Sequence, residues 1–483
     1  MAFDTGSRLT TFGGDERPTA VVVAVQLTGV TDVELDSSLE ELERLAKTLG
    51  LEPVGRVTQR RAGLATGIVL GEGKLVELAT WTGGTGKVEA YVKPGSSKKK
   101  KDDDDEDDED DDDDDGETGE PTSDEPEPDD TIAAAKPEEA PRAKVVLVDH
   151  DLTPTQQRNL EKATGVDVLD RTSVILEIFH RHARTREARM QVEIAKLKYL
   201  APRLREGGGG GDRVRGGVGG KGAGETSLEL DRRRIRDRIA ELKHELSQVA
   251  GGAKNRRGRR SELPTVALVG YTNAGKSSLM RSLTSSDVYI ADKLFATLDT
   301  TVRRLQPPTD PPILVTDTVG FIKKLPHDLV ASFRSTLDEA GDADLLLHIV
   351  DAADVAHADQ LAVTREVLRE IGADEVPSWL ILNKIDRVDS IGRANLRARY
   401  PNALQLSAKD KADVATLRDK LIEHFVGKLE EAELVVPWAR QRVAHLIHER
   451  TTILLEEHGD DGTRFVVRAP ARVLEVLRGQ LAE

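Results

Sequence analysis

The chain has 483 residues, 38% of them hydrophobic, enough for several buried cores, so a single-domain account is not needed. It has no cysteine, which excludes a disulfide framework or a thiolate metal site and fits a reducing compartment. The net charge of −17 suggests an acidic protein, yet residues 98–130 alone hold four lysines against 21 acidic residues, so the rest of the chain is neutral and its basic clusters are free to meet RNA.

The start, Met1-Ala2-Phe3-Asp4, carries no basic region followed by an apolar stretch, so no signal peptide is expected. The longest apolar runs, such as Val21 to Val25, are strand-sized and too short to span a bilayer, and a cytoplasmic location without membrane insertion is expected. From Pro18 to about Val92, the apolar Val21 to Leu27, the helical spacing of Leu35 to Leu49 and then Gly67 to Leu70 read as compact α/β structure. Residues 97–143 read as a disordered acidic insertion, because lysines, fourteen consecutive acidic residues and a Pro/Glu/Asp stretch cannot bury enough apolar surface to offset chain entropy. Val145 to Val148, a helix opening at Leu152-Thr153-Pro154, and Val166 to Leu169 then complete an N-terminal α/β domain over 18–185. The insertion either shields basic regions as a competing polyanion or is a solubilising linker.

Residues 186–252 carry two amphipathic helices. Met190, Ile194, Leu197, Ala201 and Leu204 line one, and Ile235, Ile239, Leu242, Leu246 and Val249 line the other. Between them, 207–225 holds eleven glycines with Arg213, Arg215 and Lys221, so the spacing predicts an antiparallel hairpin with a mobile basic tip. Pattern alone leaves open whether this is a coiled-coil spacer or an RNA-contacting arm. Residues 253–263, with Lys254, Arg256, Arg257, Arg259 and Arg260, read as a basic linker that either contacts phosphates or is solvated surface. Alternating buried strands and helices over 264–428 predict a mainly parallel sheet, and 430–483 reads as a small α/β module.

Gly270-Tyr271-Thr272-Asn273-Ala274-Gly275-Lys276-Ser277 is a phosphate loop in its required context, after a strand-like Thr265 to Val269 and before a helix-like Ser278 to Leu283. Its backbone N–H groups can cradle phosphates, Lys276 adds a point charge, and Ser277 offers an oxygen to magnesium. Asp317-Thr318-Val319-Gly320 follows the strand Ile313 to Val315; the carboxylate can hold magnesium's water shell and the Gly320 N–H can sense a γ-phosphate. Asn383-Lys384-Ile385-Asp386 and Ser407-Ala408-Lys409 each follow a strand, and the Asp386 carboxylate can accept two hydrogen bonds from guanine that adenine cannot donate. GTP is therefore expected over ATP by roughly ten-thousandfold. Gly71-Glu72-Gly73-Lys74 is too short to support a second, ATP-using site. After Gly320 stands Phe321, an apolar residue that cannot position an attacking water, so slow intrinsic hydrolysis stimulated by a partner is expected. Asn273 either helps to hold a potassium ion or only stabilises its loop.

The chain resembles the HflX family of ribosome-associated GTPases, through Gly224-Glu225-Thr226 with Asp231-Arg232-Arg233-Arg234, the phosphate loop, Phe295-Ala296-Thr297-Leu298-Asp299, Asp317 to Phe321 and Leu325 to Val330. Asp170-Arg171-Thr172 and Ala183 to Glu187 extend the resemblance upstream, so that it covers nearly all of the chain. It implies that Thr297 joins Ser277 on magnesium when GTP is bound. It also implies binding to the large ribosomal subunit and its RNA and the dissociation or rescue of stalled ribosomes; separately, a monomer is expected. A GTP-dependent ribosome-assembly or RNA-binding scaffold is the alternative. The chain departs from the family where the usual Pro-Thr-Thr after the switch aspartate reads Thr300-Thr301-Val302, in the heavier glycine loop, and in the acidic insertion.

Overall fold

The structure, a computed structural model, describes residues 17–88, 141–204, 227–260, 263–285, 294–295, 298, 301–325, 329, 339–427, 429–459 and 461–482. Most of the acidic insertion, the glycine-rich tip with Arg213, Arg215 and Lys221, and the switch residues Ala296, Thr297 and Asp299 lie outside these. The chain forms two compact units, one of residues 17–42 with Glu52–Asp170, the other of Glu43–Leu51 with the chain from Arg171 onward.

The first unit is built on a four-stranded parallel sheet in the order β2-β1-β3-β4, with β1 Thr19–Leu27, β2 Glu52–Arg61, β3 Val145–Val148 and β4 Asp167–Asp170. The valine run of β1 is buried on both faces, which suits a central parallel strand covered on both sides. Helices Glu72–Thr82 and Pro154–Thr164 supply Leu75, Leu78, Trp81, Leu160 and Ala163 to its core. The second of these helices opens on a reciprocal capping box between Thr153 and Gln156. Just before β3, the Ala143 N–H donates to the Trp81 carbonyl and the Lys144 N–H to that of Thr19. Ala143, the last residue of the expected insertion, is buried.

One reading of this unit needs correction. Gly67 to Leu70 is a turn-rich loop whose Val69 and Leu70 are buried, and the strand in this part of the chain is Glu52–Arg61. The sequence conceals β2 because it is an edge strand, half-exposed along most of its length and rich in Arg, Gln and Thr. The compact unit itself stops at Asp170, and the following helix α4, Arg171–His182, falls in the second unit.

In the second unit, α5 Arg186–Leu200 and α6 Ser227–Arg260 pair antiparallel around Met190, Ile194, Leu197, Ile235 and Leu242. Arg186 meets Glu245 at 2.6 Å and Glu193 meets Arg238 at 2.8 Å, partners that run in opposite directions along the two helices. Because α6 continues to Arg260, the basic stretch read as a linker is helical over most of its length; Gly251 and Gly252 do not stop it.

A six-stranded sheet follows, in the order β10-β9-β8-β5-β7-β6, from β5 Thr265–Gly270, β6 Thr301–Arg304, β7 Leu314–Asp317, β8 Leu345–Asp351, β9 Ser378–Asn383 and β10 Leu404–Gln405. All neighbours are parallel except β6 and β7. Val266 and Leu268 face one core with Leu347, Ile349 and Leu279, while Ala267 and Val269 face the other with Leu346 and Phe321. The C-terminal part is an antiparallel sheet of β11 Leu429–Pro437, β12 Thr452–His458 and β13 Gly462–Pro470, backed by helices Gln441–Arg450 and Ala471–Ala482.

His348 lies inside β8 at 6% exposure, and burial, aided by Arg365, pushes its pKa down to about 4. The unfolded chain therefore takes up this proton at higher pH than the folded one. This residue's contribution to stability is full above about pH 6.5 and falls as pH drops toward 4, by about 3 kcal/mol. Urea unfolding at both ends of that window should show His348→Leu losing less stability on acidification than the parent.

Candidate functional site

Strand β5, inside its sheet, carries the phosphate loop at its C-terminal end, and α7, Lys276–Thr284, leaves from it. Gly270 and Gly275 are required by geometry: a Cβ would lie 2.2 Å from the Ile349 carbonyl oxygen at the first and 2.2 Å from the Asn383 amide nitrogen at the second, and both have positive φ. Gly275 caps α7 without any side-chain hydrogen bond, leaving the helix's first N–H groups for a ligand. Such an N-terminus, with its partial positive charge, suits phosphate.

Lys276 is 6% exposed, and its Nζ donates to the carbonyls of Gly270 at 3.0 Å and Tyr271 at 2.9 Å. Burial lowers its pKa to about 8, opposed by the nearby Asp317 carboxylate. Ser277 Oγ donates to Asp317 Oδ2 at 2.8 Å, and Asp317, at the end of β7, is buried. Thr318 turns its hydroxyl away from the loop to the Leu268 carbonyl. Gly320 comes against the loop so closely that a Cβ there would lie 2.8 Å from Thr272 Cγ2 and 3.0 Å from Lys276 Nζ.

The segment after Gly320 is stitched to the loop by its backbone. The Phe321 N–H donates to the Gly270 carbonyl at 3.2 Å and the Thr272 N–H to the Phe321 carbonyl at 2.7 Å, forming a parallel bridge between Tyr271 and Phe321. The Phe321 ring is buried in the core with Ala340 and Leu346. Two residues on, the Lys323 N–H donates to the Tyr271 hydroxyl at 2.6 Å, and its carbonyl accepts from Arg171 Nε and Nη2 at 3.3 and 3.2 Å. Arg171 is 1% exposed, and burial lowers its pKa to about 10, so it stays charged at neutral pH.

The other end of α4 holds the segment that precedes Thr297. His182 Nδ1 donates to the Phe295 carbonyl at 2.8 Å, and the rings of Phe179 and Phe295 meet edge to face with centroids 4.6 Å apart. The Leu294 N–H donates to the Thr48 hydroxyl. Leu298 is buried; Ala296, Thr297 and Asp299 lie outside the described residues. One twelve-residue helix thus grips the segments carrying both expected switches. Sequence reading assigned no role to Arg171 or His182. The one available signal was the Asp170-Arg171-Thr172 motif, which names the arginine but not what it touches.

The base-reading residues gather at the ends of β9 and β10. Asn383 joins the two loops: its Nδ2 donates to the Ala274 carbonyl at 2.8 Å and its Oδ1 accepts from the Ala408 N–H at 3.0 Å. Lys384 reaches the Asn273 carbonyl at 2.7 Å and Asp351 at 2.6 Å, and Ile385 is buried beneath. The Asp386 carboxylate is exposed, and a hydrogen bond from the Ser407 side chain holds it below the usual carboxylate range, with Lys409 and Arg387 adding to this. Asp386, Ser407 and Lys409 line one cavity of about 760 Å³. At the other glycine motif, Lys74 is bound to Glu77 at 2.8 Å within its own helix, an ordinary ion pair.

This arrangement can hold a triphosphate at the start of α7 and a base in the cavity beyond Asn383. Comparison with known proteins gives the family. Residues 36–90 and 130–180 match the family described as GTP-binding GTPase N-terminal, 182–260 the GTP-binding GTPase middle region, and 265–384 the 50S ribosome-binding GTPase family. The chain is 54% identical to the GTPase HflX of Gluconacetobacter diazotrophicus over 465 residues, 96% of this chain and 98% of that one. It is 36% identical to the GTPase HflX of Escherichia coli over 450 residues, 92% of this chain and 91% of that one. A crystal structure of a GTP-binding protein from the archaeon Sulfolobus solfataricus in complex with GDP matches with a TM-score of 0.41 at 21% identity, covering 84% of this chain and 98% of that one. Among the described residues no helix is long and apolar enough to cross a membrane. The chain belongs to the HflX family of GTPases, binding GTP and hydrolysing it to GDP and phosphate.

Proposed function

We propose that the chain is a GTP-dependent switch, acting as a monomer in the cytoplasm, that binds the large ribosomal subunit and promotes the dissociation or rescue of stalled ribosomes. The observation that carries this reading is Phe321. Its ring is buried in the core and its backbone is bonded to the phosphate loop, so the position after Gly320 offers no side chain to align water. Such a site turns over slowly until a partner orders it. The 50S ribosome-binding description of the family matched over 265–384 supports the large subunit as that partner.

In this reading Lys276 and Gly320 meet the γ-phosphate, the loop from Gly270 to Ser277 cradles the phosphates, and Asp386 with Ser407, Ala408 and Lys409 reads guanine. Magnesium fits the donor set. Ser277 Oγ and the Asp317 carboxylate are hard oxygens 2.8 Å apart, and this ion needs few protein ligands beside phosphate and water. Ser277 and, as the family resemblance implies, Thr297 would hold the ion, which neutralises phosphate charge when bound. Hydrolysis releases Thr297 and Gly320 from the γ-phosphate. Through Phe295 and Lys323, both gripped by α4, that change has a route toward the helical hairpin, which follows α4 in the chain.

Turnover of GTP should rise steeply when purified large subunits are added, and sedimentation should show intact ribosomes shifting to subunits with GTP but not GDP. Unchanged turnover would overturn the reading. Stimulation without the shift would leave a GTPase that serves assembling subunits.

A further inference from the structure

We infer that the Thr272 hydroxyl is a direct γ-phosphate contact, by which the site tells GTP from GDP. Thr272 is 6% exposed, and its Oγ1 has no hydrogen-bond partner among the described residues. A buried hydroxyl without a partner is costly, whereas an apolar side chain of the same shape would carry no such cost. Its place supplies a reason. A Cβ built on Gly320 would lie 2.8 Å from Thr272 Cγ2, 3.0 Å from Thr272 Cα and 3.0 Å from Lys276 Nζ, so the Thr272 side chain, the Lys276 ammonium and the Gly320 backbone crowd around one point. The Lys276 ammonium has three protons and gives two bonds to carbonyls, so one remains for a ligand. Two of the three groups, Lys276 and Gly320, are those that meet a γ-phosphate in this kind of loop.

The Thr272 backbone is pinned by its 2.7 Å bond to Phe321, which keeps the side chain beside Gly320. The hydroxyl donates to a γ-phosphate oxygen of GTP and finds no such acceptor in GDP. The inference rests on the phosphate loop's binding GTP and is independent of the ribosomal reading.

The test compares the parent chain with Thr272→Val, which removes the hydroxyl but keeps the shape, and Thr272→Ser, which keeps the hydroxyl. Affinities for GDP and for the β,γ-imido analogue of GTP are measured by titration calorimetry. Thr272→Val should bind the analogue roughly ten- to a hundredfold more weakly, as expected for a hydrogen bond to a charged group, with GDP affinity held within about twofold. Thr272→Ser should restore most of the parental ratio. Equal weakening toward both nucleotides, or an unchanged ratio, overturns the inference, because a hydroxyl that only shaped the loop would not discriminate. If the valine variant binds neither nucleotide, the same ratio is read from Thr272→Ala, with the same two outcomes deciding.

Discussion

Replacing Asp386 with asparagine is expected to weaken GTP binding by roughly a thousand- to ten-thousandfold and to create a preference for xanthosine triphosphate. The Ser407 bond and the neighbouring Lys409 keep this carboxylate ionised, so at neutral pH it offers two acceptors side by side. Guanine presents two donors, a ring N–H and an exocyclic amine. An asparagine amide presents one acceptor and one donor, and its NH₂ would face the amine of guanine, leaving both groups unpaired. Xanthine carries an oxygen where guanine carries the amine and so matches the amide. Competition of GTP and xanthosine triphosphate against a fluorescent nucleotide would read the switch. Undiminished GTP binding by Asp386→Asn would mean that the base is recognised elsewhere.

Lys276→Ala is expected to lower GTP turnover by at least about a thousandfold, because it removes a charge aimed where negative charge shifts during phosphoryl transfer. Its position explains the size. The ammonium is held by two loop carbonyls in a site nearly closed to water, where a point charge acts with little screening. The same burial pushes its pKa down to about 8, so the free protein holds this charge at a cost that triphosphate oxygens would relieve. Single-turnover hydrolysis with saturating GTP separates loss of chemistry from loss of binding. Near-parental rates at saturation would show that the lysine serves affinity alone.

The phosphate loop and the Asn383 to Asp386 motif were legible because their chemistry sits in consecutive residues at fixed spacing beside strands with continuous apolar runs. The central strands were legible for the same reason: Val21 to Val25 and Thr265 to Val269 can be stable only where both faces are covered. Edge strand β2 was not, since its half-exposed pattern of Arg, Gln and Thr resembles loop composition. Nor was the end of α6, where two glycines and a basic run suggested a break that the helix passes over. Individual glycine penalties of about 1 kcal/mol are small beside the packing of a long amphipathic helix.

The amino-acid sequence by itself determined the nucleotide chemistry, the guanine preference and the alternation of buried strands with helices, because each depends on residues close together in the chain. Only the tertiary structure decided that Arg171 would hold the Lys323 carbonyl 152 residues away, that His182 would hold Phe295, and that Thr272 would lie buried beside Gly320 and Lys276. Those contacts join segments whose separation in sequence carries no periodic signal. They arise from the way β5, β7 and α4 bring their ends together, and a local pattern has no term for such an encounter.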